Sequence, residues 1–404
     1  MLKPARTKRY DAIVIGGGPA GSTTALMLAR AGWAVALIEK SQFPRPKVCG
    51  EFISASSFPL FAELGLLEEV RRLAGPEIRR VGIFSGQTVS TSDMPAVSSR
   101  FGKWGKALGR EQFDLLMLEA AVRAGSDLWQ PCRVACIESL NQGWQCEISH
   151  GYDSTFLVAR IIVAANGSWE KSPWLPDCAA PHTASDLLAF KAHLDGADLA
   201  FDLMPLLVFR GGYGGMVWSD AGRVSLSCCI SRRTLGQCRK REERAGDAVL
   251  RHLRHDCRGV ADVLKHTKLR GTWLSAGPIR PGIRRKYADG IFRVGNAAGE
   301  AHPIIAEGIS MAVQSASLLC RLLISEQNAL DSVSAFADVG RAYASSWRAH
   351  FASRIHTAAL FAHTLMRPES AALAIALPKR FPALLTLCAA LSGKTKQIPI
   401  RPPV

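Results

Sequence analysis

The strongest constraint on the fold is a glycine-rich turn near the N-terminus. The apolar run 11–15 leads into Gly16-Gly-Gly-Pro-Ala-Gly21, which opens an alanine-rich stretch with helical spacing. A strand, a tight turn and a helix in this order are typical of a βαβ unit that binds the pyrophosphate of a dinucleotide. Glu39 closes the second predicted strand, where a carboxylate accepts ribose hydroxyls. The predicted contacts in this unit are Gly16, Gly18, Pro19, Ala20, Gly21, Glu39 and Lys40.

A second glycine-rich segment, almost 280 residues later, indicates which dinucleotide binds. The predicted strand 291–294 is followed by Gly295-Asn296-Ala-Ala-Gly299, then by Pro303, and Glu307-Gly308-Ile309 opens another helix. A helix N-terminus directed at a flavin stabilises the negative charge that the reduced ring carries. The two segments together therefore favour FAD. The predicted contacts here are Gly295, Asn296, Pro303, Gly308 and Ile309.

These motifs, over residues 8–330, resemble the flavoprotein superfamily of para-hydroxybenzoate hydroxylase-type monooxygenases, flavin halogenases and geranylgeranyl reductases. Arg110-Glu-Gln-Phe-Asp114 is similar to the family's Arg-x-x-Phe-Asp segment, and Asn166-Gly167 stands where the family has Asp-Gly. The segment 43–51 contains a Cys-Gly pair and resembles the reductase branch, as does Glu307-Gly308-Ile309. The resemblance implies further cofactor contacts at Arg45, Cys49, Arg110, Val134, Asn166 and Gly167.

Two departures from the family pattern bear on the chemistry. Asn166 and Asn296 replace the usual aspartates, which leaves FAD binding intact but weakens the case for direct handling of NAD(P)H. The electron donor therefore stays open between NAD(P)H and a partner reductase. The Trp-x-Trp-x-Ile-Pro segment of halogenases is absent, which disfavours halogenation.

The candidate catalytic residues each have a structural alternative. Cys49 is expected to face the flavin, the alternative being one buried cysteine among the 11 in the chain. Glu51 is either a ribityl ligand or acid/base, or a solvated loop carboxylate. His302 is either a proton donor or a packing residue. Tyr213 and Trp218 are expected to form walls of an apolar substrate pocket.

The chain is expected to fold as an α/β protein with a doubly wound, Rossmann-like FAD-binding domain, an inserted mixed-sheet substrate domain and C-terminal helices. The predicted boundaries are 1–75, 100–171 and 283–330 for the FAD-binding domain, 76–99 and 172–282 for the substrate domain, and 331–404 for the helical region. A long basic helix is expected over 235–255. The segment 381–391, apolar on all sides, is expected to be a buried helix.

Composition limits the partners. The scattered cysteines include no CxxC pair, which argues for reduced thiols and against a metal site. No uncharged apolar run reaches the roughly 18 to 20 residues of a membrane span. The apolar run near the N-terminus is too short for a secretory signal. We therefore expect a protein that is cytoplasmic or peripheral to a membrane. The formal net charge of +16 is either a solvated surface or a means of steering a phosphorylated or carrier-bound substrate or an acidic membrane face. Nucleic acid is disfavoured because no recognition motif is present.

The sequence thus predicts a FAD-dependent oxidoreductase, with three functions open. The favoured one is a monooxygenase of secondary metabolism that hydroxylates a lipophilic or aromatic metabolite, free or tethered to a carrier protein. The second is a reductase that saturates carbon–carbon double bonds of an isoprenoid-like substrate. The third is a flavoprotein that relays electrons to a protein partner.

Overall fold

The computed structural model describes residues 7–151, 153–168, 181–327 and 333–398. Parts of the predicted domains, at 1–6, 152, 169–180, 328–332 and 399–404, lie outside the described residues. The strands are β1 (Lys8–Ile15), β2 (Val35–Ile38), β3 (Phe52–Ile53), β4 (Arg80–Ser85), β5 (Thr88–Asp93), β6 (Lys106–Ala107), β7 (Asp127–Trp129), β8 (Arg133–Ser139), β9 (Trp144–His150), β10 (Asp153–Ala164), β11 (Leu187–Asp195), β12 (Leu203–Phe209), β13 (Gly212–Trp218), β14 (Val224–Ser231), β15 (Lys268–Ile279), β16 (Gly282–Ile283), β17 (Tyr287–Ala288), β18 (Ile291–Arg293) and β19 (Gly299–Glu300). The helices are α1 (Pro19–Arg30), α2 (Phe58–Glu63), α3 (Leu67–Leu73), α4 (Arg110–Arg123), α5 (Arg232–Cys238), α6 (Ala245–Asp256), α7 (Arg258–Val263), α8 (Gly308–Ser325), α9 (Val333–Met366), α10 (Pro368–Arg380) and α11 (Ala383–Ala389).

The first sheet has eight strands and a parallel centre. Six strands follow the order β17-β18-β10-β1-β2-β7, while β9 also pairs with β10, and β8 pairs with β9. The last four residues of β1 and all of β2 are buried, as expected for strands covered on both faces. Helix α1 packs against α4 and α8 in the main hydrophobic core. This is the predicted doubly wound α/β fold, and the carboxyl ends of β1, β10 and β18 meet at one edge of the sheet.

The second sheet has seven strands in the order β15-β11-β14-β13-β12-β4-β5. All neighbours are antiparallel except β12 and β4, so the sheet is mixed, as predicted. Strands β4 and β5 come from the chain segment between α3 and α4, and the others come from 187–279. Its own apolar core lies between the sheet and α5, α6 and α7.

The long basic helix expected over 235–255 is interrupted in the structure. Helix α5 ends at Cys238 and α6 begins at Ala245. The intervening segment 239–244 consists entirely of charged residues, and Glu242 adopts φ +65°, in the left-handed region. Glu243 forms an ion pair of 2.7 Å with Arg251 of α6, so the segment folds back as a charged turn.

The expectation of a fully buried helix over 381–391 is wrong. Helix α11 buries Leu385 and Ala389, but Phe381, Leu387 and Leu391 are 58%, 53% and 52% exposed. Helix α10 packs against α9 and β5, and α11 packs against β5 and β4, so these contacts leave the side chains of Phe381, Leu387 and Leu391 exposed. An apolar sequence shows that a helix can be buried and does not show which of its faces is covered.

Within the described ranges, one helix, α8, is long and apolar enough to cross a membrane, and 72% of it is buried inside the protein. The helical segments Ser370–Arg380 and Ala383–Lys394 satisfy the same criteria only when taken together, and they are bent by 117°.

Candidate functional site

One cavity of about 610 Å³ extends from the first glycine turn, between the two sheets, to the C-terminal helices. It is lined by most of the residues that the sequence predicted as cofactor contacts. These are Gly16, Gly18, Pro19, Ala20, Glu39, Lys40, Arg45, Cys49, Arg110, Val134, Asn166, Gly167, Gly295, Asn296, Pro303, Gly308 and Ile309. Gly21 does not line it, because its Cα packs against the carbonyl of Gly16, where a Cβ would stand 1.8 Å from the oxygen.

The first glycine turn leaves room for a phosphate at one position. Gly16 has φ +107°, and a Cβ there would be 2.6 Å from the carbonyl oxygen of Ala165. At Gly18, in contrast, the nearest atoms to a Cβ would be guanidinium nitrogens of Arg110 and Arg45, at 3.9 and 4.0 Å. The turn therefore opens onto two cations at the N-terminus of α1, which fits a bound pyrophosphate.

Glu39 lies at the end of β2, with its carboxylate buried beside the turn. The backbone N–H groups of Gly17 and Ser41 donate to its two oxygens, at 2.7 and 2.8 Å. These bonds fix the carboxylate at the cavity wall, where it can accept ribose hydroxyls.

A cluster of cations surrounds the predicted phosphate position. Arg110 donates to both oxygens of Asp114, at 2.6 and 2.7 Å, and Arg45 lies 3.4 Å from the same carboxylate. Burial, together with the charges of Arg110 and Arg45, lowers the pKa of Lys47 to about 8. Two carboxylates, Asp114 and Glu39, lie among these three cations, and the cluster adjoins the position that a pyrophosphate would occupy. Lys47 was missed as a site residue because no motif marks it.

The second glycine segment explains one departure from the family pattern. Gly295 has φ +60° and donates its N–H to Ser315 Oγ at 2.8 Å, which fixes the turn against α8. Asn296 Nδ2 donates to Glu300 Oε1 at 3.1 Å, and burial raises the pKa of Glu300. An aspartate at 296 would place a second carboxylate against Glu300, so the amide is the compatible residue here.

The predicted catalytic residue His302 faces Tyr213 across the cavity. The Tyr213 hydroxyl and His302 Nδ1 are 3.2 Å apart, and the ring of His363 lies 5.9 Å from that of His302. Burial and the nearby His363 lower the pKa of His302 to about 4, and burial raises the pKa of Tyr213. Both groups are therefore uncharged at neutral pH.

Glu51 links the loop before β3 to strand β11 of the seven-stranded sheet. It adopts φ +64°, is fully buried, and accepts a hydrogen bond from Lys191 Nζ, while His193 Nε2 lies 3.1 Å from both carboxylate oxygens. Burial alone would raise the pKa of Glu51, but the hydrogen bond from His193 and the charge of Lys191 hold it well below its usual range. Such a carboxylate stays ionised and anchors the loop to β11. Cys49 lies beside it, with its Sγ accepting from the Glu51 N–H at 3.4 Å.

Trp218, predicted as a pocket wall, does not line the cavity. Its indole Nε1 donates to the carbonyl of Leu199 at 2.8 Å, and its ring lies 4.9 Å from that of Phe201. Tyr213, predicted with it, does line the cavity. Residues 213 and 218 are five apart on β13, so the alternation of side chains along a strand places them on opposite faces.

The far end of the cavity contains a buried charge pair whose two partners are not connected by any sequence motif. Lys394 Nζ donates to the Ile305 carbonyl at 2.8 Å and lies 3.4 Å from Glu307 Oε1, at the N-terminus of α8. Burial lowers the pKa of Lys394 and raises that of Glu307. Arg354, also buried, donates to Gln314 on α8 at 2.9 Å. This end is therefore polar at its floor and held by the C-terminal region.

The fold and the cradle for a pyrophosphate define a dinucleotide-binding protein with a separate seven-stranded sheet. The sequence profile of the FAD binding domain family matches residues 9–333, and the chain belongs to this family. The chain is 26% identical to digeranylgeranylglycerophospholipid reductase 2 of Methanopyrus kandleri, over 85% of this chain and 83% of that protein. It is also 26% identical to conditioned medium factor receptor 1 of Dictyostelium discoideum, over 80% of this chain and 64% of that protein.

Solved structures share the fold at low identity. The flavin-dependent brominase Bmp2 superposes with a TM-score of 0.75 at 19% identity, over 96% of this chain and 94% of that one. A geranylgeranyl bacteriochlorophyll reductase-like protein of Thermoplasma acidophilum superposes with a TM-score of 0.67 at 19% identity, over 96% and 100%. These structures show that the α/β fold is shared, while the family match and the relatives support a FAD-dependent oxidoreductase without distinguishing the reaction.

Proposed function

We propose that this oxidoreductase is a monooxygenase that hydroxylates a lipophilic or aromatic metabolite. The observation that carries the proposal is the composition of the cavity beyond the predicted flavin contacts. There the seven-stranded sheet contributes Leu206 and Val217, and α11 contributes Leu385. An apolar wall of this kind accommodates a hydrocarbon or ring system and limits the access of water to the reacting atoms.

The polar groups next to this wall suit oxygen insertion. FAD, when bound and reduced, supplies the electrons that activate O₂. His302 is neutral at pH 7 and Tyr213 keeps its proton, so each can donate a hydrogen bond to substrate oxygen without placing a charge in the cavity. We infer that they orient the substrate, and that Cys49 shapes the wall near the flavin.

The source of electrons and the form of the substrate are part of the proposal. NAD(P)H or a partner reductase supplies the electrons, and the net charge of +16 would steer either an anionic cofactor or an acidic carrier. One relative, the 1H-pyrrole-2-carbonyl-[peptidyl-carrier protein] chlorinase of Pseudomonas fluorescens, is 30% identical over 39% of this chain and 39% of that protein. Its name supports a carrier-tethered substrate as one form to test.

A specific observation favours a second candidate, the reductase. Saturation of a double bond needs a proton for the second carbon, and Tyr213 retains one inside the cavity. The Methanopyrus relative is also named as a reductase. An electron-relay protein, in contrast, would have no need of the apolar part of the cavity.

Product analysis with labelled oxygen separates these functions. The FAD-loaded protein is reduced without O₂, then given ¹⁸O₂ together with alkylated phenols in one arm and polyprenyl lipids in the other. Hydroxylation predicts a product containing ¹⁸O. A product two mass units heavier that forms without O₂ would establish the reductase and contradict the proposal. Reduced flavin that reoxidises without any product in either arm would also contradict it.

A further inference from the structure

Helices α10 and α11 present an apolar surface to solvent. We call it the C-terminal apolar face and define it by Leu377, Phe381, Leu387 and Leu391, which are 45%, 58%, 53% and 52% exposed. Leu377 lies in the last turn of α10 and Phe381 directly follows that helix, while Leu387 lies on α11 and Leu391 lies in the π-helical turn that continues it. Large exposed side chains grouped in this way mark an interaction surface.

The opposite side of the same helices is fixed to the protein. Leu385 packs with Ile83 and Val208 of the seven-stranded sheet. Thr386 Oγ1 donates to the Asp93 carbonyl at 2.6 Å, and Ser90 Oγ donates to the Pro378 carbonyl at 3.2 Å. The helices are therefore held in one orientation, which keeps the four apolar side chains directed outward.

Cations predominate in the sequence around the face, whereas Glu369 lies in the first turn of α10 and the exposed Asp93 lies on β5 next to Thr386 of α11. The segment 370–398 contains Lys379, Arg380, Lys394 and Lys396 and no Asp or Glu. Lys394 is buried, and the other three are exposed. Apolar side chains flanked by cations are the pattern of helices that lie in the interface of a bilayer containing anionic lipid.

The dimensions of the helices favour a position on the bilayer over one across it. Helix α10 has 13 residues, or about 20 Å at 1.5 Å per residue, against roughly 30 Å of hydrocarbon. The bend of 117° before α11 means that the two segments do not form one straight span. Two short helices joined at such an angle can both lie in the plane of the surface.

We propose that the C-terminal apolar face docks on the surface of a bilayer that contains anionic phospholipid. The proposal does not depend on the reaction that the protein catalyses. Docking would nevertheless affect the reaction, because Leu385, Cys388 and Ala389 of α11 line the cavity. Docking would place this wall of the cavity beside the acyl chains, where lipophilic molecules are concentrated.

The test is co-sedimentation of the FAD-loaded protein with vesicles of phosphatidylcholine and phosphatidylglycerol in equal parts. We expect the double variant Phe381→Ser/Leu387→Ser to lose more than about tenfold in vesicle affinity, because two large side chains no longer enter the bilayer. The matched control is Val122→Ser/Leu269→Ser, which removes exposed apolar residues from α4 and from β15 at the opposite edge of the substrate sheet. The control should bind as the natural protein does.

A second pair of variants tests the electrostatic part. Lys379→Gln/Arg380→Gln should weaken binding to anionic vesicles by roughly tenfold or more, since each cation near a charged surface contributes about 1 kcal/mol. Lys268→Gln, on β15, should change binding little, and vesicles of phosphatidylcholine alone should bind the natural protein weakly.

Three results would overturn the proposal. The first is that the natural protein does not bind anionic vesicles. The second is that the Phe381→Ser/Leu387→Ser variant and its control bind equally well. The third is that the natural protein is a dimer which the double variant converts to a monomer, while neither binds vesicles. The last would identify the face as a contact between copies of this chain. Retained FAD absorbance verifies that each variant is folded. Because the measurement needs no turnover, its failure would leave the proposed hydroxylation unaffected.

Discussion

The two ends of the cavity are built in different ways. At the FAD end, Gly16, Gly18 and Glu39 come from one βαβ unit, and two arginines complete the cradle. At the far end, Glu307 and Lys394 approach each other from positions 87 residues apart, and Tyr213 comes from the other sheet. The first end is a local arrangement of backbone and charge that suits a constant ligand. The second depends on how three parts of the chain pack, and it adjoins the N-terminus of α8, where Gly308 and Ile309 are predicted to contact the flavin.

The comparison predicts that the FAD end loses its cofactor when a side chain occupies the space next to the glycine turn. Gly18→Val places a side chain in the open space before Arg110 and Arg45, so we expect the purified protein to lose its flavin. The ratio of flavin to protein absorbance measures this loss. Gly236→Ala, at a helical glycine with nothing within 4 Å of the added Cβ, is the matched control and should stay fully loaded. A yellow Gly18→Val protein would show that the cradle is placed wrongly.

The far end should fail through stability. Lys394→Met leaves Glu307 buried without its cation, which costs on the order of 3–5 kcal/mol when one partner of a buried pair is removed. Urea unfolding monitored by circular dichroism gives the change in the free energy of unfolding. Lys394→Met/Glu307→Gln should recover part of the loss, because the charge left behind is removed as well. Equal costs for the single and double variants would mean that the two side chains are not coupled.

A smaller effect is expected from pH. The pKa of His302 is about 4 in the folded protein, below its ordinary value of about 6.5, so the unfolded chain takes up this proton first as pH falls. The contribution of His302 to stability is therefore intact above about pH 6.5, decreases towards pH 4 and levels off below. We expect about 1–2 kcal/mol, since the partly open imidazole is screened by solvent. The free energy of unfolding is measured across this pH range for the natural protein and for His302→Asn, and the difference between them isolates the contribution of His302. A difference that does not change with pH would contradict the prediction.

The smallest expected effect distinguishes the two candidate reactions. Tyr213→Phe removes the hydroxyl beside His302 and should cost about 1 kcal/mol of stability. If the protein hydroxylates, we expect the rate of product formation to fall less than about tenfold, because Tyr213 only orients the substrate. A loss of about a hundredfold or more, in an assay of double-bond reduction, would assign proton donation to Tyr213. Flavin content serves as the control for an intact FAD end.

The same contrast explains which features of the molecule could be predicted from the sequence and which could not. The doubly wound fold, the mixed second sheet and the FAD family followed from contiguous motifs, each of which has a local physical cause. The pairing of Lys394 with Glu307 had no such local signal, because only tertiary packing brings them together. The placement of Trp218 was an avoidable error, since strand alternation separates it from Tyr213. The exposure of Phe381 and Leu387 could not be foreseen, because an apolar helix does not reveal which side its neighbours cover.

The buried pair of Glu51 and Lys191 has a consequence for assembly of the holoprotein. The loop that carries Arg45, Lys47 and Cys49 against the cofactor is attached, through Glu51, to the middle of β11. Binding at the pyrophosphate would thus stabilise a loop that is attached to a strand of the seven-stranded sheet. FAD would act as a folding ligand for both modules, and its loss would loosen the substrate sheet as well as empty the nucleotide fold.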